Sequence, residues 1–317
     1  MPASVPISRA DFVDLYDVRF RKIFTEEYKK YHADLVPVFH GMPGATTPYR
    51  PEERYSSVSG LTEMGQFTGS IDYESPSLGY DVTGSYVEFA KGMQIRRTAL
   101  EWDQFSVLAT RPKQLARTAF RRRQQDATRH WRNAFAVDTF FYNHSEGVAL
   151  CSNAHTTTTG ASTTSGFDNL NTLAFSHANL VTTQIQLADF RDEQNQPIDI
   201  VGDTIVGTID NYDQFWEVLA SQGRSSDDSN ARNVHAGEYN LILIRNKVDF
   251  PDVNDWFLAD GTLMKDMVLW FDQVYPGGQP EFGMVEDFDS FVAKWRAYMR
   301  YTKMYQDWRW VVGNQVS

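Results

Sequence analysis

The chain has 317 residues, 42% of them apolar and 14% aromatic, with a formal net charge of −11. That is enough apolar material to fill one large domain or two modest ones. A single cysteine excludes an internal disulfide and a structural zinc site built on several thiolates. No stretch long and apolar enough to cross a membrane occurs, and MPASVPISRADFVDLY lacks a basic segment followed by an apolar one, so the sequence predicts a soluble protein made in a cytosol.

Residues 9–34 place Phe12, Leu15, Tyr16, Phe20, Ile23, Phe24 and Tyr28 at spacings of three and four, which predicts an amphipathic helix. Residues 37–53 carry four prolines and two glycines and predict an extended connector. From Arg54 to Arg97 the pattern turns to β: Gln66 to Tyr73 and Gly79 to Phe89 are the expected arms of a hairpin turning at Glu74-Ser75-Pro76-Ser77. Six glycines and few large aliphatics leave this hairpin without a core of its own. It is therefore expected to lie on another molecule.

Residues 110–141 predict one helix of about 30 residues, roughly 45 Å long, with Thr110 as cap and Pro112 in the first turn. Leu115, Ala116, Ala119, Phe120, Ala127, Trp131, Ala134 and Phe135 form its apolar face. Between Arg111 and Arg132 lie eight basic residues against one acid, Asp126, so this segment carries +7 while the rest of the chain carries −18. An irregular threonine- and serine-rich stretch, ALCSNAHTTTTGASTTSGFDNL, follows over 149–170.

Beyond it the pattern predicts a helix over 170–190, a buried strand over 204–209 and a helix over 212–221 with Phe215, Trp216 and Leu219 inward. A polar loop spans 222–238; strands follow at Tyr239–Arg245 and Trp256–Ala259, and a turn at Asp260-Gly261 precedes Met267–Phe271. Helices alternating with short strands argue for a mixed α/β unit. The last segment alternates, with Trp295, Ala297, Met299 and Tyr301 on one face and Lys294, Arg296, Tyr298 and Arg300 on the other, a long strand with an aromatic and a basic face.

Cys151 and His155 raise the question of a thiolate and its base, but the surrounding loop is not helical and nothing places the two on a common face. Packing explains a lone cysteine better. The other histidines are scattered without a two-ligand spacing, and Gly277-Gly278 lacks the residues of a phosphate-cradling loop, so neither metal nor cofactor is expected. Two readings stay open for the basic helix: arginines paired with the acidic remainder, or nonspecific contact with phosphates. For Trp308 and Trp310, flanking Arg309, core or interface packing is favoured over base stacking.

The order of these parts resembles that of major capsid proteins of tailed double-stranded DNA phages with the Hong Kong 97-type fold, and within it the Mu-like major head subunits. The residues that carry the resemblance are Leu150-Cys151-Ser152-Asn153-Ala154-His155, Asn169-Leu170, His177-Ala178-Asn179-Leu180 and Gly202-Asp203-Thr204-Ile205-Val206. Beyond them come Asn211 leading to Trp216, Asn233 with Gly237-Glu238-Tyr239, Trp256-Phe257-Leu258-Ala259-Asp260, and Gln306-Asp307-Trp308-Arg309.

The resemblance spans residues 10–312 and implies an α+β fold: an N-terminal arm (1–50), an extended loop (51–100), a peripheral domain with a spine helix (101–167 with 272–317) and an axial α/β domain (168–271). It implies that Arg117, Arg121, Arg122, Arg129 and Arg132 face the interior and packaged double-stranded DNA. Phe67, Ile71, Tyr73, Tyr80 and Tyr86 of the extended loop would meet a neighbouring subunit, and Cys151 and His155 would pack in the link from spine helix to axial domain. The implied function is structural and non-enzymatic: self-assembly into pentamers and hexamers of an icosahedral head, in the host cytoplasm. The implied partners are copies of itself, a portal, a decoration protein and a separate scaffolding protein, because the arm starts almost at Met1. Members of the fold that crosslink use a loop lysine; Lys91 is the hairpin's only one, and no crosslink is expected. The alternatives are an encapsulin-like compartment shell, a thiol hydrolase using Cys151, and a nonspecific DNA-binding protein acting through residues 111–132.

Overall fold

The computed structural model describes residues 9–30, 34–43, 50–71, 73–75, 78–96, 98–99, 102, 107–223, 232–246, 250, 252, 254–273, 279–287 and 289–316. The expected turn residues Pro76 and Ser77, the middle of the polar loop (224–231) and Gly277-Gly278 lie outside the described residues, as do the side chains of Phe12, Leu15 and Tyr16.

The N-terminal helix runs Arg9–Lys30. Among the side chains described, Phe20 and Phe24 are its buried residues, the first edge-on to Trp295 at 5.1 Å and the second against Phe282 at 4.9 Å. A short helix, Val36–Phe39, interrupts the expected extended connector, with Val36 and Phe39 buried.

Three sheets organise the rest. In the first, β1 (Glu52–Val58) pairs antiparallel with β2 (Leu78–Ser85), which pairs in turn with β4 (Tyr142–His144). Of the two expected arms the second, 79–89, is β, divided between β2 and the start of β3 (Val87–Arg96), and the first is not. The described residues of 66–73 have a strand-like composition but lie in no strand; they are exposed, between β1 and β2.

The second sheet has β11 (Val292–Tyr305) at its centre, flanked by β10 (Glu281–Asp287) and β3 (Val87–Arg96), with β9 (Val268–Asp272) pairing its far end. Burial alternates along β11 as its pattern predicts, Ala293, Trp295, Ala297, Met299 and Tyr301 inward, until Thr302, from where both faces are buried through Tyr305. The third sheet runs β5 (Leu170–Asn171), β12 (Val311–Asn314), β8 (Trp256–Ala259), β6 (Thr204–Thr208), β7 (Asn240–Ile244). The segment expected to be one long strand therefore divides: β11 stays in the second sheet, and β12 inserts between β5 and β8 of the third.

The basic segment folds as a helix over Thr110–Ala127 and a short one over Arg129–Arg132, not as one rod to residue 141. Eighteen residues make about 27 Å. The break has a local cause: the Thr128 hydroxyl donates to the carbonyls of Gln124 (3.3 Å) and Gln125 (3.4 Å), competing with the helical ladder. Thr110 is the first residue of the helix and not its cap; the residue before it is Ala109, which makes no side-chain cap hydrogen bond. Pro112 is in the first turn and buried, as expected.

Further corrections concern the third sheet's surroundings. The helix expected over 170–190 starts only at His177 and ends at Ala188, capped by Ser176, whose hydroxyl accepts from Asn179 N–H. In the helix Tyr212–Leu219, Phe215, Val218 and Leu219 are buried, but Trp216 is 56% exposed because it lies a third of a turn off that face. Asp260-Gly261 opens a helix, Gly261–Met267, whose first N–H groups the Asp260 carboxylate accepts from. One core joins the two larger sheets through Trp131, Trp256, Trp270 and Trp310; a smaller one lies beneath the N-terminal helix.

Candidate functional site

The basic helix presents its charges unequally. Arg111, Lys113 and Arg117 are exposed, and Arg121 and Arg132 half-buried. Arg122 lies in an ion pair with Asp126 at 2.8 Å and above the Phe89 ring at 4.4 Å. Arg129 holds Asp138 in two bonds, at 2.5 and 2.9 Å, over the ring of Phe140. The arginine that sequence reasoning did not single out is Arg123. It is 1% exposed, bidentate to Asp272 at 2.8 and 3.2 Å, 3.5 Å from Asp34 and stacked over Trp270. Asp272 and Asp34 hold the guanidinium charge against the cost of burial. The C-terminal half of the helix is thus ion-paired within the subunit, and the cations of its N-terminal half are exposed to solvent.

Beside this helix lies a buried cluster of basic groups. His40 and His130 stand edge-on with ring centroids 5.0 Å apart, and burial and the nearby Lys303 push both well below the usual histidine range. Lys303 is 1% exposed, and burial lowers its pKa to about 7. Asp126, itself raised by burial, receives a hydrogen bond from the Tyr301 hydroxyl at 2.7 Å.

The loop candidates separate into two groups. Phe67 (70%), Ile71 (65%) and Tyr73 (85%) are exposed together with Met64 (95%). Tyr80 and Tyr86 are tied into their own subunit, Tyr80 OH to Thr156 Oγ1 and Tyr86 OH to Glu53 Oε1. The base of the loop is further fixed where Thr158 Oγ1 donates to Leu78 O.

Cys151 and His155 are both buried but share none of their described contacts. The Cys151 N–H donates to Ala134 O at 2.8 Å, and burial pushes its thiol well above the usual range, away from nucleophilicity. A Cβ placed on Gly313 would come within 2.7 Å of Cys151 Sγ and 2.8 Å of Phe135, so the thiol fills a space that only glycine leaves. His155 stacks on Trp308 at 4.1 Å and 10°, and its Nδ1 lies 3.1 Å from Glu146.

The residue that closes this link is Asn169. Its amide donates to Leu150 O (2.8 Å) and Val311 O (3.2 Å), while its Oδ1 accepts from Ser152 N–H at 2.7 Å. Arg309 acts similarly nearby, bridging Asp307, Glu193 at 2.9 Å and Arg191 O at 2.6 Å, so the Trp308-Arg309-Trp310 triplet is packing, as expected. No cluster of three metal-ligating side chains occurs among the described residues.

The comparisons with known proteins agree with this architecture. Residues 84–314 match a family described as phage capsid protein. No curated protein matches the sequence. The fold is similar to the capsid of a native GTA particle, 9% identical over 90% of each chain with a TM-score of 0.56. It is similar also to the mature capsid of bacteriophage PhiM1 (8% identity, 88% of this chain and 86% of that one, TM-score 0.55). A third likeness is to the capsid of cyanophage P-SCSP1u (9% identity, 89% and 87%, TM-score 0.53). At these identities the likeness is one of fold, the Hong Kong 97-type.

Proposed function

The chain belongs to the phage capsid protein family and is a structural major capsid protein, and from that premise we propose how it builds an icosahedral head. Copies associate into pentamers and hexamers. The sheet β5-β12-β8-β6-β7 with its helices forms the axial unit around the capsomer axis, and the β10-β11-β3 sheet with the basic helix forms the peripheral unit. On this assignment β12 belongs to the axial unit although β11 is peripheral. No catalysis is assigned to the subunit, and Cys151 and His155 serve as packing groups in the link. Placement among the Mu-like head subunits fits the sequence pattern around Asn169 and Trp308.

The observation that carries the reading is the loop between β1 and β2. From Gly60 to Ile71 every described residue is exposed, including Leu61, Met64, Phe67 and Ile71. Large exposed apolar side chains on one loop mark a surface that another chain covers. The exposed half of the basic helix, Arg111, Lys113 and Arg117 with Arg121 beside them, supplies sequence-independent contact to packaged DNA. A separate scaffolding protein, a portal and a decoration protein complete the set of partners, and assembly takes place in the host cytoplasm.

The test is electron microscopy of the expressed chain with and without its scaffolding protein. Closed shells of uniform diameter are expected; a chain that stays monomeric under every condition would refute the reading. Particles carrying Arg111→Ala and Lys113→Ala should form at wild-type yield and release DNA at lower salt.

A further inference from the structure

Where the basic helix breaks at Thr128, three elements close over one buried spot. The short helix Val36–Phe39 ends at His40, the short helix Arg129–Arg132 brings His130 and Trp131, and β11 brings Lys303, opposite Trp270 of β9 in the ladder. His40 lies edge-on to His130 at 5.0 Å and to Trp270 at 5.3 Å, and the ring of His130 lies 4.8 Å from that of Trp131. His40, His130, Trp131 and Lys303 are each at most 2% exposed.

Their hydrogen bonds do not close. His40 Nδ1 reaches the Val36 carbonyl at 3.2 Å, and because a carbonyl only accepts, Nδ1 carries the proton and Nε2 is bare. Lys303 Nζ, Trp131 Nε1 and both ring nitrogens of His130 have no hydrogen-bond partner among the described residues. An ammonium and an indole only donate, and a neutral imidazole keeps one N–H. Three buried donors therefore converge on this junction without an acceptor, a condition that protein interiors avoid.

The local charge says what the acceptor is. Asp126 and Asp138 face Lys303 and favour its proton, and Arg129 and Arg132 oppose it. Both carboxylates are already occupied, Asp126 by Arg122 and the Tyr301 hydroxyl, Asp138 by Arg129, Asn133 and the Phe140 N–H. Arg123 is held by Asp272 and Asp34, while burial keeps Tyr28, His40 and His130 neutral. With Lys303 protonated, five cations (Arg122, Arg123, Arg129, Arg132, Lys303) face four carboxylates (Asp34, Asp126, Asp138, Asp272). One positive charge is left over, and none when Lys303 is neutral. Water can accept from the three donors, but only an anion also balances that charge.

We propose that this junction binds one small monovalent anion of the chloride class, taken up together with the proton of Lys303. Lys303 Nζ supplies the charge, and His130 and Trp131 supply N–H groups. Burial on every side demands an ion that sheds its water, so chloride and bromide suit the site and strongly hydrated sulfate and phosphate do not. A bound anion fastens the Val36–Phe39 segment and the end of the basic helix to β11. The site is independent of the capsid reading.

Urea unfolding of unassembled full-length subunits in sodium chloride and in sodium gluconate, whose anion is too large to enter, tests this. With the Lys303 pKa lowered to about 7, the folded chain holds the proton at about pH 6 and has released it by about pH 9.5. At about pH 6, chloride should lower the unfolding equilibrium constant at least tenfold relative to gluconate, which at about 0.2 M salt corresponds to a dissociation constant of roughly 20 mM. At about pH 9.5, and at either pH in Lys303→Met, the two salts should agree within about twofold. Bromide should replace chloride.

A chloride effect of the same size in Lys303→Met, or at both pH values, would be a general salt effect and would overturn the site. No chloride effect in the wild-type chain would assign the three donors to water and overturn it as well. The comparison between pH values needs no substitution, so it decides the matter even where Lys303→Met fails to fold.

Discussion

Lys303 makes the energetics of the subunit testable through a single methylene-rich side chain. It sits near the end of β11, 1% exposed, with no hydrogen-bond partner for Nζ among the described residues and the Phe141 ring 5.8 Å away. Burial lowers its pKa from 10.5 to about 7; Asp126 and Asp138 favour the proton, and Arg129 and Arg132 oppose it. Between those two values the unfolded chain holds the proton and the folded chain has released it, so stability rises with pH across the window from about 7 to 10.5. At 1.36 kcal/mol per pKa unit, the folded state at pH 7 carries a proton-linked cost of about 4 kcal/mol relative to pH above 10.5.

Lys303→Met keeps the length and removes the titration. Urea unfolding of unassembled subunits should show Lys303→Met more stable than wild type at pH 7, by up to about 4 kcal/mol, with the gap closing as pH approaches 10.5. Every other group that titrates in this range is common to both chains, so the difference isolates Lys303. Parallel stability profiles for the two chains from pH 7 to 10.5 would refute the reasoning.

Other predictions follow from the same contacts. Arg123→Met should destabilise by about 3–5 kcal/mol in chemical denaturation, because it strands the buried Asp272, and Arg123→Lys should recover little of this for want of a bidentate fork. Gly313→Ala should cost about 1–3 kcal/mol through overlap with Cys151 and Phe135, and adding Cys151→Ala should relieve only the sulfur's share. The Cys151 thiol of the folded subunit should react with a thiol reagent no faster than the chain unfolds. Replacing Met64, Phe67 and Ile71 together by serine should leave subunit stability within about 0.5 kcal/mol and raise the concentration needed for assembly at least a hundredfold.

How far these features could be read from the sequence depends on whether their cause is local. The strands Thr204–Thr208 and Trp256–Ala259 are short apolar runs buried on both faces, and the pattern alone locates them. The alternation along β11 is equally legible up to Thr302, where Gly84 and Phe141 cover what would otherwise be a polar face. Arg123 could not be distinguished from its neighbours Arg121 and Arg122, because the carboxylate that selects it, Asp272, lies 149 residues away in sequence. Trp216 is apolar yet stands about 100° around the helix from Phe215, off the face that Phe215, Val218 and Leu219 bury, so angle decides its exposure and hydrophobicity does not.

The loop between β1 and β2 misled in the opposite way, and its failure is informative. Among the described residues of 66–73 none lies in a strand, although the composition is that of one, and Phe67, Ile71 and Tyr73 are exposed. A strand former needs a ladder, and large exposed apolar side chains need a cover. The described residues of one subunit supply neither. On the capsid reading proposed above both come from a neighbouring copy, and for that reason a pattern read along one chain mistakes this loop for half of a hairpin.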